Sequence, residues 1–305
     1  MISIVLSGLL TGGALGFVLQ RGRFCITGGF RDMYLNKDFK IFKALLIAIL
    51  VQAVGIYLMY QFGIIQELPG SLTGGFAMIA IVVGSFLFGV GAILGGGCAT
   101  GMWYRSGEGL ISAWVALFMF ALMATITRAG ALSSVNDWFS AQVVGSNSIS
   151  QTFSVSVWVL IFILFIAVLV AIYTEMKKPK VKIIALKSKK RGIKHLLFEK
   201  RWHPFVTALL IGLIAIVAWP LSIATGRNFG LGITVPSSNI LQYLSTGDDS
   251  FLNWGIFLVV GVLLGSYVAA KASGEFKLRV PEAKMLVKNA LGGILMGFGA
   301  TIASG

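Results

Sequence analysis

The chain has 305 residues, 57% hydrophobic and 12% charged, with a mean hydropathy of +0.89. Soluble domains carry about twice that charged fraction, so the composition excludes a soluble globular protein and points to an all-α polytopic membrane protein. Two cysteines far apart, with only His195 and His203 beside them, build neither a zinc site nor a disulfide framework. The net charge of +14 sits in loops beside apolar runs, so it calls for a bilayer and not for nucleic acid. No cofactor is implied.

Eight segments are apolar over the roughly 17–25 residues that cross a bilayer: 2–19, 41–62, 76–94, 110–126, 155–173, 204–223, 252–270 and 285–302. The first lacks the basic start and cleavage site of a signal peptide, so it reads as a span. Trp103, Trp138, Trp202, Trp219 and Trp254 fall near span ends, where an interfacial aromatic belt is expected. Residues 177–203 hold eleven basic residues against Glu199 alone, ten of the net fourteen positive charges. Residues 21–43 hold six against Asp32 and Asp38, and 271–288 hold five against Glu275 and Glu282. Excess Lys and Arg marks cytoplasmic loops. The loops with Glu67, Asp137 and Asp248–Asp249 then lie outside, as does the amino terminus. The segment 177–203 divides two expected halves, 1–176 and 204–305, and also suits contact with anionic lipid.

Small residues recur every fourth position at Gly8, Gly12 and Gly16, at Gly261 and Gly265, and at Gly293 and Gly297. This spacing predicts close helix packing. Gly84, Leu87, Gly89, Gly91, Ala92 and Gly97 match Gly292, Leu295, Gly297, Gly299, Ala300 and Gly305 at one constant offset. A weaker echo pairs "GRFCIT" from Gly22 with "GRNFGLGIT" from Gly226. Both echoes are five spans apart, an odd number, so the copies are expected to be inverted. Inverted repeats point to a transporter whose path lies between the halves. A chain ending at Gly305 would put a carboxylate inside a span, which is costly. The chain is therefore expected to continue, with a cysteine next, matching Cys98.

Each cysteine abuts glycines at an expected helix break: Cys25 with Gly28 and Gly29, Cys98 after Gly95, Gly96 and Gly97. Broken backbone at membrane depth survives only inside protein or beside water, and its free N–H groups form an anion nest. Arg21, Arg23 and Arg31 would raise the local anion concentration. A thiol is a weak donor with a soft sulfur, so it suits a substrate that presents sulfur. Glu108 beside Arg105 reads as a loop ion pair, and Asn289 as a helix–helix hydrogen bond.

The stretches "GRFCITGGFRDMYL", "GVGAILGGGCATG" and "GGILMGFGATIASG" resemble the YeeE/YedE family of sulfur-transport membrane proteins, which includes thiosulfate importers. The resemblance covers essentially the whole chain. It implies a multi-pass protein of the bacterial inner membrane, an inverted-repeat helical bundle in which broken helices or re-entrant loops meet near the membrane centre. It also implies a path lined by three cysteines, two matching Cys25 and Cys98 and a third following Gly305. Thiosulfate would pass between thiols by S–H···S contacts, helped by Arg23, Thr27, Gly28, Gly29, Gly96, Gly97, Thr100 and Gly305. Cys25 is expected on the cytoplasmic half of the path and Cys98 nearer its centre. A small cytoplasmic sulfur-carrier protein is the implied partner, with the basic loop as its dock. A membrane sulfurtransferase working through a cysteine persulfide is the alternative, but neither histidine lies near either cysteine motif to serve as its base. A permease for a related sulfur or selenium compound is the other.

The charge distribution yields a topological prediction. A cysteine placed at Lys187 resists membrane-impermeant labelling from outside intact cells and is labelled after permeabilisation. Efficient labelling in intact cells would reverse the assigned orientation.

Overall fold

The computed structural model describes residues 2–65, 77–142, 156–177 and 192–304. Glu67, Gly305 and residues 178–191 of the basic segment, Lys187 among them, lie outside them. In chain order the helices are α1 (Ile2–Gly22), α2 (Ile26–Leu35), α3 (Lys40–Gln61), α4 (Met78–Leu94), α5 (Ala99–Gly107), α6 (Ile111–Ala129) and α7 (Ser133–Ser140). They continue as α8 (Val157–Met176), α9 (Ile193–Phe198), α10 (Pro204–Ile223), α11 (Thr234–Thr246), α12 (Trp254–Ser273) and α13 (Ala283–Ser304). Eight stretches among the described residues are long and apolar enough to span a membrane, matching the expected number. Two of these stretches are interrupted: α1 gives way to the short α2, and α4 to the short α5.

Glycine sets how closely the long helices approach. On α1, a Cβ added at Gly12 would stand 2.8 Å from the Leu258 carbonyl carbon, and one at Gly16 equally close to that of Val262. From the α12 side, a Cβ at Gly261 would meet the Leu9 carbonyl oxygen at 2.6 Å. The α4–α13 contact is built alike, with Gly84 facing the Gly299 carbonyl oxygen at 2.6 Å and Gly91 facing the Met296 nitrogen at 2.6 Å. Gly293 and Gly297 bring α13 onto Ala116, Met119 and Phe120 of α6. In lipid, where apolar side chains gain little from meeting each other, such backbone-to-backbone packing supplies much of the helix association. The contacts are reciprocal: α1 packs on α12, and α10 packs on α3.

The tryptophans depart from the expected belt. Trp103, Trp219 and Trp254 are buried inside the protein. Trp103 Nε1 donates to Ser237 Oγ at 3.0 Å and Trp254 Nε1 to Ser7 Oγ at 3.2 Å. A buried indole N–H needs an acceptor, and a serine on a neighbouring helix provides it in both cases. Trp138 alone among the five is clearly exposed.

Distant turns tie the chain across its length. α12 and α13 are joined by the turn 274–282, which runs beside the α5–α6 turn. Arg279 N–H donates to the Gly109 carbonyl at 3.0 Å and Ile111 N–H to that of Arg279 at 3.2 Å.

Replacing Gly12 by alanine overpacks the α1–α12 contact and lowers stability by about 1–3 kcal/mol. Gly89→Ala, where the added Cβ meets nothing within 4 Å, leaves thermal unfolding of the detergent-solubilised protein unchanged. Equal effects of the two substitutions would contradict the packing.

Candidate functional site

The two cysteines occupy equivalent local positions. Cys25 is the N-cap of α2 and Cys98 the N-cap of α5, both with extended backbone. The turn into Cys25 passes through Arg23, a non-glycine residue at φ 46°, and the turn into Cys98 through Gly96 at φ 78°. Left-handed backbone favours glycine, so Gly96 fits its place and Arg23 is held there by its partners. Cys98 Sγ accepts from the Gly101 N–H at 3.4 Å. A Cβ built on Gly101 would lie 3.5 Å from Cys25 Sγ and 3.5 Å from Cys98 Sγ. The two sulfurs therefore flank Gly101 as close neighbours. The sequence reading placed them at separate levels; the broken backbone instead brings both to one point. Two helix N-termini with their positive dipole ends converge on that point.

Helix breaks free backbone groups that water cannot satisfy inside a membrane. At Gly95–Gly97 the solution is Arg105, whose Nη1 donates to the Gly96 carbonyl. Its Nε lies 3.5 Å from Tyr104 Oη. The expected Arg105–Glu108 ion pair is absent among the described residues, because the guanidinium is drawn to the exposed carbonyl instead.

Cys25 stands in the wall of a cavity of about 1120 Å³. Arg23, Arg31, Lys40, Arg105, Lys200, Arg201 and Arg279 line it, against Asp32 and Glu108. The excess of cations over carboxylates in this lining concentrates anions in the cavity. Gly28 also lines it, beside Cys25. Gly97 lies against the Arg105 guanidinium. Gly29 faces α3, where an added Cβ would stand 2.8 Å from Ile41 Cγ2, which is a packing position. Thr27 and Thr100 sit half-buried in the first turns of α2 and α5, outside the cavity lining. Gly305 is outside the described residues. Gly96, Asn289, Arg105 and Arg279 share a second cavity of about 290 Å³ between α5, α6 and α13. Asn289 is buried at its wall.

Sequence reasoning missed what holds Arg23. Glu275, in the turn after α12, accepts from Arg23 Nη2 at 2.9 Å and from Gln20 Nε2 at 2.7 Å, with Arg21 Nη1 at 3.7 Å. Arg21 is 1% exposed and its Nη2 donates to the Lys200 carbonyl at 3.0 Å. It is thus a buried structural cation and not an exposed attractor. Burial opposes charge on Glu275, but Arg23, Gln20 and Arg21 outweigh it and hold its carboxyl below the ordinary 4.5. Arg31 is exposed and paired with Asp32 at 3.0 Å.

Apolar helices interrupted at membrane depth, with a polar, basic cavity reaching the breaks, define a membrane transport protein. The model of the family described as sulphur transport matches residues 21–305, and the chain belongs to that family. It is 53% identical over 305 residues to the thiosulfate transporter TsuA of Escherichia coli K12, a match covering 100% of this chain and 86% of that protein. It is 34% identical over 316 residues to the thiosulfate transporter TsuA of Spirochaeta thermophila, covering 99% and 88%. A shorter match, 35% over 106 residues, links it to the probable transporter YedE of Escherichia coli K12, covering 35% of this chain and 25% of that one.

A depressed folded-state pKa adds stability above the unfolded value and withdraws it as acid protonates the folded carboxylate. Glu275 therefore stabilises this ion cluster fully at neutral pH, and the contribution fades as the pH falls below 4.5. Glu275→Gln lowers thermal stability at pH 7 and narrows the difference from the parent protein in acid. A pH-independent difference would contradict the ion cluster.

Proposed function

We propose that this protein imports thiosulfate across the bacterial inner membrane through a path in which Cys25 and Cys98 act together. The observation that carries the reading is the pair of adjacent thiols at two helix N-termini, with Cys25 in the wall of a basic cavity. Thiosulfate is a dianion with one terminal sulfur. The sulfonate end suits guanidinium and backbone N–H groups; the sulfur end suits a thiol, which donates a weak S–H bond to a soft acceptor. Passage needs no covalent bond, so the protein acts as a transporter and not an enzyme, in keeping with the names of its relatives.

The two halves, 1–176 and 204–305 joined by the basic segment, are read as inverted repeats. Support comes from the recurring order of long helix, break, short helix and long helix in α1–α3 and α10–α12, and from the reciprocal packing of α1 on α12 and α10 on α3. Delivery to a small sulfur-carrier protein docked at the basic cytoplasmic segment completes the reading. The excess of Lys and Arg in that segment suits a dock for a carrier that presents an acidic surface.

Cells lacking other sulfur import routes and carrying this protein grow on thiosulfate as sole sulfur source. Cys25→Ser and Cys98→Ser each reduce thiosulfate uptake by about tenfold or more, equivalent to ~1.4 kcal/mol at the barrier, at unchanged protein level. Serine keeps a small donor but removes the soft sulfur. Near-normal uptake by well-expressed serine variants would refute the paired-thiol path.

A further inference from the structure

Glu108, in the turn between α5 and α6, has no role in the thiosulfate path described above. It is 6% exposed and it lines the large cavity. Its Oε1 is buried without a hydrogen-bond partner, and it forms no ion pair among the described residues. The nearby cations are committed elsewhere: Arg23 to Glu275, Arg105 to the Gly96 carbonyl and Arg21 to the Lys200 carbonyl. The charged and titratable groups that face Glu108 are Arg23 at the α1–α2 break, Arg105 on the same turn of α5 with Tyr104 beside it, and Glu275 beyond Gln20.

A buried carboxylate with an open oxygen is costly to keep charged. In the wall of a cavity that receives a dianion, its charge would also repel the cargo. Both difficulties disappear when the group is the neutral acid. The acid also presents an O–H donor to an anion, where the carboxylate offers only acceptors. Burial raises the pKa of Glu108 and Glu275 pushes the same way, against the weaker opposing pull of Arg23, Gln20 and Arg105. An anion entering the cavity adds negative charge and favours the acid further.

We propose that Glu108 is a proton-binding site linked to anion occupancy, so that each thiosulfate entering the cavity brings one proton onto this carboxyl. The inference rests on the thiosulfate reading. The proton comes from cavity water as hydronium and returns to water when the anion leaves; only the O–H bond is made and broken. Linkage is reciprocal: the anion raises the proton affinity of Glu108, and the proton raises the affinity for the anion.

The test is calorimetric titration of the purified full chain with sodium thiosulfate, in buffers of different ionisation enthalpy, across about pH 5–9, the range above the ordinary carboxylate pKa. Uptake approaching one proton per thiosulfate is expected where the empty site is charged, with affinity falling about tenfold per pH unit there. Glu108→Gln abolishes the uptake and binds with a pH-independent affinity near that of the parent at low pH. Glu108→Asp retains the uptake. Thiosulfate-induced infrared difference spectra of the parent protein show a new protonated-carboxyl band, a readout that needs no variant. Binding without proton uptake at any pH, or uptake that persists in Glu108→Gln, overturns the linkage and leaves the thiosulfate reading standing. Absence of thiosulfate binding at every pH overturns both.

Discussion

A backbone group released from a helix inside a membrane must find a partner within the protein, and the structure is organised around two such releases. At Gly95–Gly97 the chain leaves α4, and Arg105 reaches back from α5 to cover the Gly96 carbonyl. At Gly22–Phe24 it leaves α1, and Arg23 is held in a left-handed conformation by Glu275 on a distant turn. Each release restarts a helix at a cysteine. Both restarts are pinned, the one at Cys98 by Arg105 of its own helix and the one at Cys25 by Glu275 on a distant turn.

The glycine contacts make this possible. Backbone-to-backbone packing of α1 on α12 and of α4 on α13 clamps the long helices, so the breaks do not spread. With the long helices fixed, the short α2 and α5 have defined starting points. The basic cavity then follows from the fold: the break at Cys25 lies in its wall, among basic residues from several connecting turns. On the orientation expected from the excess of Lys and Arg, one charge distribution serves insertion and anion attraction together.

Much of this was legible in the sequence. The spans stand out by hydropathy, and the packing glycines by their four-residue spacing. The break before Cys98 shows because three consecutive glycines disfavour a helix; the break at Cys25 instead falls before it, at Gly22–Phe24, and the Gly28–Gly29 pair read as marking it lies inside α2. What the sequence concealed are contacts whose partner carries no residue-level mark. Arg105 pairs with a main-chain carbonyl, so the neighbouring Glu108 looked like its partner and is not. Arg21, Arg23 and Gln20 converge on a glutamate more than 250 residues away, which no local pattern announces. Trp103 and Trp254 sit near span ends, as belt residues do, yet serines on neighbouring helices draw them inward.

The central claim is that Cys25 and Cys98 face one anion site together. Maleimide labelling of both cysteines in inside-out vesicles, read by mass spectrometry with and without substrate, tests it most directly. The account predicts that thiosulfate protects both thiols over the same concentration range while sulfate at equal concentration protects neither. Protection of one thiol alone, or equal protection by sulfate, would contradict a shared sulfur-recognising site.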